Sequence, residues 1–209
     1  MKGLFSTDGT IYKIMTLLYR LIILNLLWCV SCIPVITVGA STTALFYVVG
    51  KIVRNEEVHE LKDFVKGFRE SFGQATCIWL ILCGAYLVIF TNLSFLSQYD
   101  SLSGLMLVIQ LPVLVQVVII SVFVFPLLSR YEAGTLVLIK ASWILGIKHI
   151  GSCLASLAIV TGIVLLTKLV PALFLMVFAS VVALGVYMVF NNVLEKYHPD
   201  AGKQSGVFL

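Results

Sequence analysis

The sequence predicts an all-α membrane protein, a polytopic helix bundle of about six transmembrane segments with two short interfacial amphipathic helices. Composition is the first reason: 60% of the 209 residues are hydrophobic, only 11% are charged, and the mean hydropathy is +1.08. Soluble domains carry about 25% charged residues. The second reason is that apolar runs recur at the length of about 20 residues that a helix needs to cross a hydrocarbon core. The chain length fits a single integral membrane domain over residues 1–209.

The first two predicted spans, about 14–33 and 36–52, form a tight hairpin. Residues 14–52 are just long enough for two crossings, with the break between Pro34 and Gly39. An amphipathic interfacial helix over about 60–72 follows, because its apolar residues recur at helical spacing on one face. That apolar face is Leu61, Phe64, Val65, Phe68 and Phe72, and the polar face is Lys62, Asp63, Lys66, Arg69 and Glu70.

An amphipathic interfacial helix followed by two spans is predicted twice, over residues 60–128 and 134–190. Gly73 predicts a turn into the third span at about 75–97, and the fourth span covers about 104–128 with kinks expected at Pro112 and Pro126. A second interfacial helix is predicted over about 134–148, with Leu136, Ile139, Trp143 and Ile147 on its apolar side. The fifth and sixth spans are predicted at about 150–167 and 171–190.

The distribution of basic residues predicts the orientation. With the N-terminus inside, all of the 14 basic residues except Lys168 fall on the inner side, as the positive-inside rule requires. We therefore expect a multi-pass protein of the cell membrane with cytoplasmic N- and C-termini. The outer connections are short, so partners besides the lipid bilayer should bind within the membrane or from the cytoplasm. No basic stripe alternates with aromatic residues, so no nucleic-acid partner is expected.

A family resemblance lies in the predicted hairpin. Asn25, Trp28 and the run PVITVGASTTA from Pro34 to Ala44 resemble the N-terminal signature of the YesL-like family, small bacterial multi-pass membrane proteins of uncharacterised function. The resemblance implies a bacterial cell membrane location. Genes of this family often lie beside carbohydrate uptake and sensing genes. The resemblance therefore implies a non-catalytic accessory or regulatory role in carbohydrate uptake or sensing. The implied partner is a sugar transporter or sensor subunit in the membrane.

Three groups of residues are candidate functional sites. The signature residues either line a polar cavity or pack against other helices, and the small residues four apart favour packing; they are Asn25, Trp28, Pro34, Thr37, Gly39, Ser41 and Thr42. Arg20 is a candidate intramembrane charge, which we interpret as a cation that snorkels to the inner interface. Glu132 is the one acidic residue that we expect within its reach. Lys62, Lys66 and Arg69 form a candidate cytoplasmic docking face.

No conventional catalytic or metal site is predicted. Cys29 and Cys32 have the spacing of a redox or metal half-site, but no second pair completes it. No pair of carboxylates and no histidine falls inside a predicted span, so we expect neither enzymatic activity nor a cofactor. The alternative function is a small permease or channel for a small polar solute. It depends on Asn25, the hydroxyl run, Gln110 and Gln116, and it leaves a homo-oligomer open.

Overall fold

The computed structural model describes residues 10–95, 103–169 and 171–195. These residues form helices and connecting turns, without a strand in the described ranges, which confirms the predicted all-α class. The elements are α1 (Thr10–Ser31), a 3-10 turn (Val35–Thr37), α2 (Val38–Val53), α3 (Glu60–Phe95), α4 (Ser103–Leu128), α5 (Thr135–Lys148), α6 (Ile150–Leu169) and α7 (Pro171–Glu195).

Several of these helices have the length and apolar character of membrane spans. In the described part of the chain, five helices qualify on their own. Helices α5 and α6 qualify together as a sixth candidate, although the pair is bent by 97° where the two helices meet. In length and composition these helices fit a membrane protein with five or six spans. The side of the membrane on which the termini lie stays a prediction. Three of the basic residues on which that prediction depends lie outside the described residues: Lys2, Lys196 and Lys203.

Helix α2 is the central helix of the bundle. It is buried along most of its length from Gly39 to Gly50 and contacts α1, α3, α4 and α7. Its most extensive partner is α3, whereas α1 packs mainly against α7. The two hairpin arms are joined by a short turn, but each arm packs more against another helix than against the other arm. On α2 the small residue Gly39 lets the backbone of α3 approach closely.

Helix α3 corrects the prediction of a turn at Gly73. The helix runs without interruption from Glu60 to Phe95, 36 residues, or about 54 Å. The predicted interfacial helix and the third span are therefore one continuous helix. A mid-helix glycine costs only about 0.5–1 kcal/mol. The helix packs on the bundle both before and after Gly73, at the buried residues Phe64 and Ala75, and this packing outweighs that cost. Because the helix exceeds a hydrocarbon core of about 30 Å, part of it must extend beyond that core.

The predicted apolar face of residues 60–72 is divided between two environments. Phe64 is 2% exposed, whereas Leu61 is 62% and Phe72 is 42% exposed. Asp63, assigned to the polar face from its spacing, is in fact buried. The side of this segment that packs on the bundle is therefore rotated away from the side with the most apolar residues.

The turn between α1 and α2 has an apolar tip. Ile33, Pro34, Val35 and Ile36 are all exposed there, and Pro34 is the extended residue before the 3-10 turn. The indole nitrogen of Trp79 donates a hydrogen bond to the carbonyl oxygen of Val35 at 3.0 Å, which places the tip beside Trp79 of α3. From Trp79 the helix continues to Phe95, about 24 Å further along its axis. The hairpin tip therefore ends well short of the far end of α3.

The second half of the bundle agrees with the predicted elements. Helix α5, predicted over 134–148, begins at Thr135 and ends at Lys148. Its buried side is Leu138, Ser142 and Gly146. A Cβ built on Gly146 would clash with Ile119 of α4. Pro112 and Pro126 both lie inside α4, which continues through them as a helix.

Candidate functional site

The hydroxyl run of the hairpin is satisfied by its own backbone. Three side chains each donate a hydrogen bond to the carbonyl oxygen four residues earlier, at 2.7–2.9 Å: Ser41, Thr42 and Thr43. The Thr37 hydroxyl lies 2.6 Å from the carbonyl oxygens of both Ser31 and Pro34 and so fixes the turn before α2. Hydroxyls that bond their own helix do not require a polar solute. This arrangement supports the packing interpretation of the signature.

Asn25 and Trp28 connect α1 to two other helices. Asn25 is buried, and its side-chain oxygen accepts a hydrogen bond from the backbone N–H of Ala179 in α7 at 2.9 Å. The Trp28 indole nitrogen donates to the Thr42 hydroxyl of α2 at 3.3 Å. Buried polar groups inside a bundle need such partners. These two side chains therefore act as cross-links within the bundle.

Gly39 completes the packing function of the signature. A Cβ built on this residue would lie 2.5 Å from the carbonyl oxygen of Ala75 and 2.7 Å from the Cβ of Trp79, both in α3. No side chain larger than hydrogen fits there without moving a helix. The glycine of the signature thus marks the close contact between α2 and α3.

An apolar cavity of about 300 Å³ lies beside the signature residues. Trp28 and Thr42 border it, as do Tyr86 and Ser121, whose hydroxyl oxygens are 3.0 Å apart. The remaining lining side chains are apolar. Its polar groups are therefore engaged with one another, and the volume is at the lower end of ligand pockets. Such a cavity suits an apolar group better than a polar solute.

Arg20 forms an ion pair that differs from the predicted one. Its Nε lies 3.1 Å from Oε1 of Glu60, at the start of α3, whereas Glu132 is exposed in the connection between α4 and α5. The expectation that only Glu132 could reach Arg20 was therefore wrong. The sequence did contain a signal, because an acidic residue in the first turn of a helix is favoured there by the helix dipole. The chain gave no sign that this turn lies beside α1.

A second ion pair fixes the start of α3. Asp63 Oδ2 lies 3.0 Å from Lys51 Nζ of α2 and accepts a hydrogen bond from the backbone N–H of His59 at 2.9 Å. The carboxylate therefore caps the N-terminus of α3 while it holds α3 against α2. Sequence reasoning missed this pair because Asp63 was assigned to the solvated side of the helix.

Two arginines and a buried tyrosine connect the ends of α2, α4 and α7. Tyr187 is fully buried, and its hydroxyl accepts a hydrogen bond from Arg54 Nη1. Arg130 Nη1 donates to the side-chain oxygen of Asn191 at 3.1 Å. Burial raises the pKa of nearby Tyr131 above its ordinary value, so that this phenol stays neutral at physiological pH. The partners are far apart in sequence, and no motif pointed to them.

The predicted docking face is accessible. Lys62, Lys66 and Arg69 are all exposed on the N-terminal part of α3. Lys66 lies 4.0 Å from Glu70 one turn away, and both side chains are more than half exposed. Such an exposed pair contributes little to stability. These three cations are thus available to a partner.

In the described part of the chain, no further ligands complete the half-site that the spacing of Cys29 and Cys32 suggested. No group of three or more His, Cys, Asp or Glu side chains there could hold a metal ion. Cys32 follows the last residue of α1, in the turn of the hairpin.

One known family matches part of the chain, from the middle of α1 through α2 to nearly the end of α3. Residues 21–93, about a third of the chain, match the family described as "Protein of unknown function, DUF624". The predicted YesL-like resemblance is consistent with this match. Neither curated proteins nor solved structures give a match to the chain.

Proposed function

We propose that the protein is a non-catalytic accessory or regulatory component of bacterial carbohydrate uptake or sensing. It would bind a partner, a sugar transporter or sensor subunit, through the docking face Lys62, Lys66 and Arg69. The observation that carries the docking role is that these exposed cations lie together on one continuous helix, α3. The sugar-related role depends on the family resemblance alone.

The rigidity of this segment comes from its opposite side. Phe64 is packed in the core, Asp63 is paired with Lys51, and Gly67 lies so close to Tyr47 that a Cβ there would be 3.1 Å from the ring. A surface that is already ordered loses little conformational entropy when a partner binds. The docking face can therefore bind a partner without refolding.

The orientation of this face follows from the charge distribution. Lys62, Lys66 and Arg69 belong to the basic residues that the positive-inside rule assigns to the cytoplasmic side. Three exposed cations there favour a partner surface with acidic residues, because complementary charge raises both specificity and the rate of encounter.

The alternative function, a small permease or channel, has less support. The hydroxyl run bonds its own backbone, the cavity beside it is mainly apolar, and Gln110 donates to the Ile89 carbonyl oxygen of α3 at 2.7 Å. Gln116 is exposed on α4. Among the residues that suggested a permease or channel, it alone has no packing role assigned above. A solute flux assay with the purified protein in liposomes distinguishes the two functions, since the accessory function predicts no flux.

Replacement of Lys62, Lys66 and Arg69 by glutamine tests the docking role. We expect the variant protein to accumulate normally. Cells that carry it should nevertheless grow as poorly as a deletion strain on an oligosaccharide whose use requires the unchanged protein. The matched control replaces Lys13, Lys140 and Lys148, which are also exposed and also assigned to the inner side, and should keep that growth. Full growth of the docking-face variant at normal abundance would show that these cations only set the orientation.

A further inference from the structure

A cavity of about 750 Å³ lies next to the docking face and carries charges of both signs. It is formed by α2, α3 and the connection from α4 to α5. Lys66 and Arg130 supply two positive charges, and Glu70 and Glu132 supply two negative charges. We call this space the charged cavity. Its formal charge is zero, although the chain as a whole is basic.

The acidic and basic groups at its edge are available to a ligand. The Lys66–Glu70 pair is long, at 4.0 Å, and both side chains are more than half exposed. A pair of this kind gains little energy from its own contact. Glu132 is also exposed. A ligand with complementary charges can therefore engage these three side chains without breaking a strong interaction.

The deeper side of the charged cavity is held in place. Arg130 is positioned by its hydrogen bond to Asn191 and lies 5.9 Å from the centre of the Tyr131 ring. Gln74 donates a hydrogen bond to the Ala133 carbonyl oxygen at 2.6 Å, which anchors the connection between α4 and α5 to α3. The geometry of this lining is therefore set before any ligand binds.

The charged cavity also contains the beginning of α5. Gly134, the N-cap of this 14-residue helix, lines the cavity and has no side chain to cap the first N–H groups. The N–H groups of the first helical turn favour an anion, and phosphate in particular. This feature adds to the positive charge of Arg130 and Lys66, and Glu70 and Glu132 contribute negative charge to the same lining.

We propose that the charged cavity binds a zwitterionic phosphate ester, a phosphate group that carries an amine. Arg130, Lys66 and the start of α5 bind the phosphate, and Glu70 and Glu132 bind the ammonium group. A purely anionic ligand would offer no opposite charge to Glu70 and Glu132. A purely cationic ligand would offer none to Lys66 and Arg130.

This chemistry has two sources, a membrane lipid and a soluble metabolite. Leu128, the last residue of α4, lies in the lining together with the charged residues. The cavity thus lies at an end of an apolar span, the level at which lipid headgroups are found. Phosphatidylethanolamine and free phosphoethanolamine share the recognised group. The inference goes beyond the accessory function, because it needs no partner protein.

Lipid retention by the purified full-length protein tests the proposal. Native mass spectrometry from mixed micelles that contain equal amounts of phosphatidylethanolamine and phosphatidylglycerol should show at least about tenfold preference for the former. Lys66→Gln and Glu132→Gln should each reduce that retention at least about tenfold, since each removes one charge-assisted contact. The controls Lys140→Gln and Glu57→Gln change exposed charges outside the cavity and should retain the lipid as the unchanged protein does.

Calorimetry with phosphoethanolamine distinguishes the two sources. Binding of the soluble compound, with the same loss in Lys66→Gln and Glu132→Gln, supports the proposal with a metabolite as ligand. Lipid retention without binding of the soluble compound supports it with the lipid as ligand. Equal retention of the two lipids without binding of phosphoethanolamine would overturn it. Equal effects of the cavity variants and their controls would also overturn it.

Discussion

Replacement of Gly39 by alanine tests the contact between α2 and α3 on which the bundle depends. The added Cβ would lie 2.5 Å from the Ala75 carbonyl oxygen and 2.7 Å from the Trp79 Cβ, distances that real Cβ atoms essentially never show. Neither neighbour can rotate away, because one is a backbone atom and the other is attached directly to the backbone. The two helices must therefore move apart by about 0.5–1 Å, and atoms along their contact lose part of their dispersion energy.

The size of the effect follows from comparison with a second glycine. Gly73 lies inside α3, and a Cβ built there meets nothing within 4 Å. Gly73→Ala should stabilise the protein by about 0.5–1 kcal/mol through helix propensity. Gly39→Ala receives the same kind of gain but also the cost of overpacking, about 1–3 kcal/mol. We therefore expect the Gly39 variant to be less stable than the Gly73 variant by about 1–3 kcal/mol.

Unfolding in mixed micelles of a mild detergent and dodecyl sulfate, followed by tryptophan fluorescence, measures this difference. Trp79 lies in the affected contact, so its emission reports on the separation of the helices. Equal stability of the two variants would refute the close approach of α2 to α3. Strong destabilisation by Gly73→Ala would refute the continuous helix and restore the turn that the sequence predicted.

A further prediction concerns two phenylalanines of α3. Phe64→Ala should lower the free energy of unfolding by about 3–5 kcal/mol. Phe72→Ala, at a side chain that is 42% exposed, should lower it by about 1 kcal/mol or less. Similar losses in the yield of folded protein for the two variants would contradict the packing of α3.

The positions of most helices were predictable from the sequence. Helix α5 was expected over 134–148 and spans Thr135–Lys148. The fourth span was expected over 104–128, and α4 spans Ser103–Leu128. The prediction succeeds because a chain in lipid must satisfy its backbone hydrogen bonds within each segment, so that a long apolar run becomes a helix.

The packing role of the hairpin signature was also partly predictable. Small residues at Gly39 and Ala40 indicated close helix packing, and Gly39 does contact α3. The identity of the partner helix was not predictable, because the spacing of small residues marks one side of α2 without stating what lies against it. The same limit applies to Asn25, whose partner is the backbone of Ala179, 154 residues later in the chain.

Composition and hydropathy were enough to predict that the chain forms apolar helices, roughly where they begin and end, and that they belong in a membrane. The contacts between the helices appear only in the folded bundle, where Phe64 packs inward, Phe72 is exposed, Arg20 pairs with Glu60 and Arg54 donates a hydrogen bond to Tyr187. The physical reason is that lipid tails and protein side chains are about equally apolar. Hydropathy therefore specifies that a residue avoids water but not whether lipid or another helix covers it. Close backbone approach, hydrogen bonds and ion pairs make that choice, and they join residues that are distant in the chain.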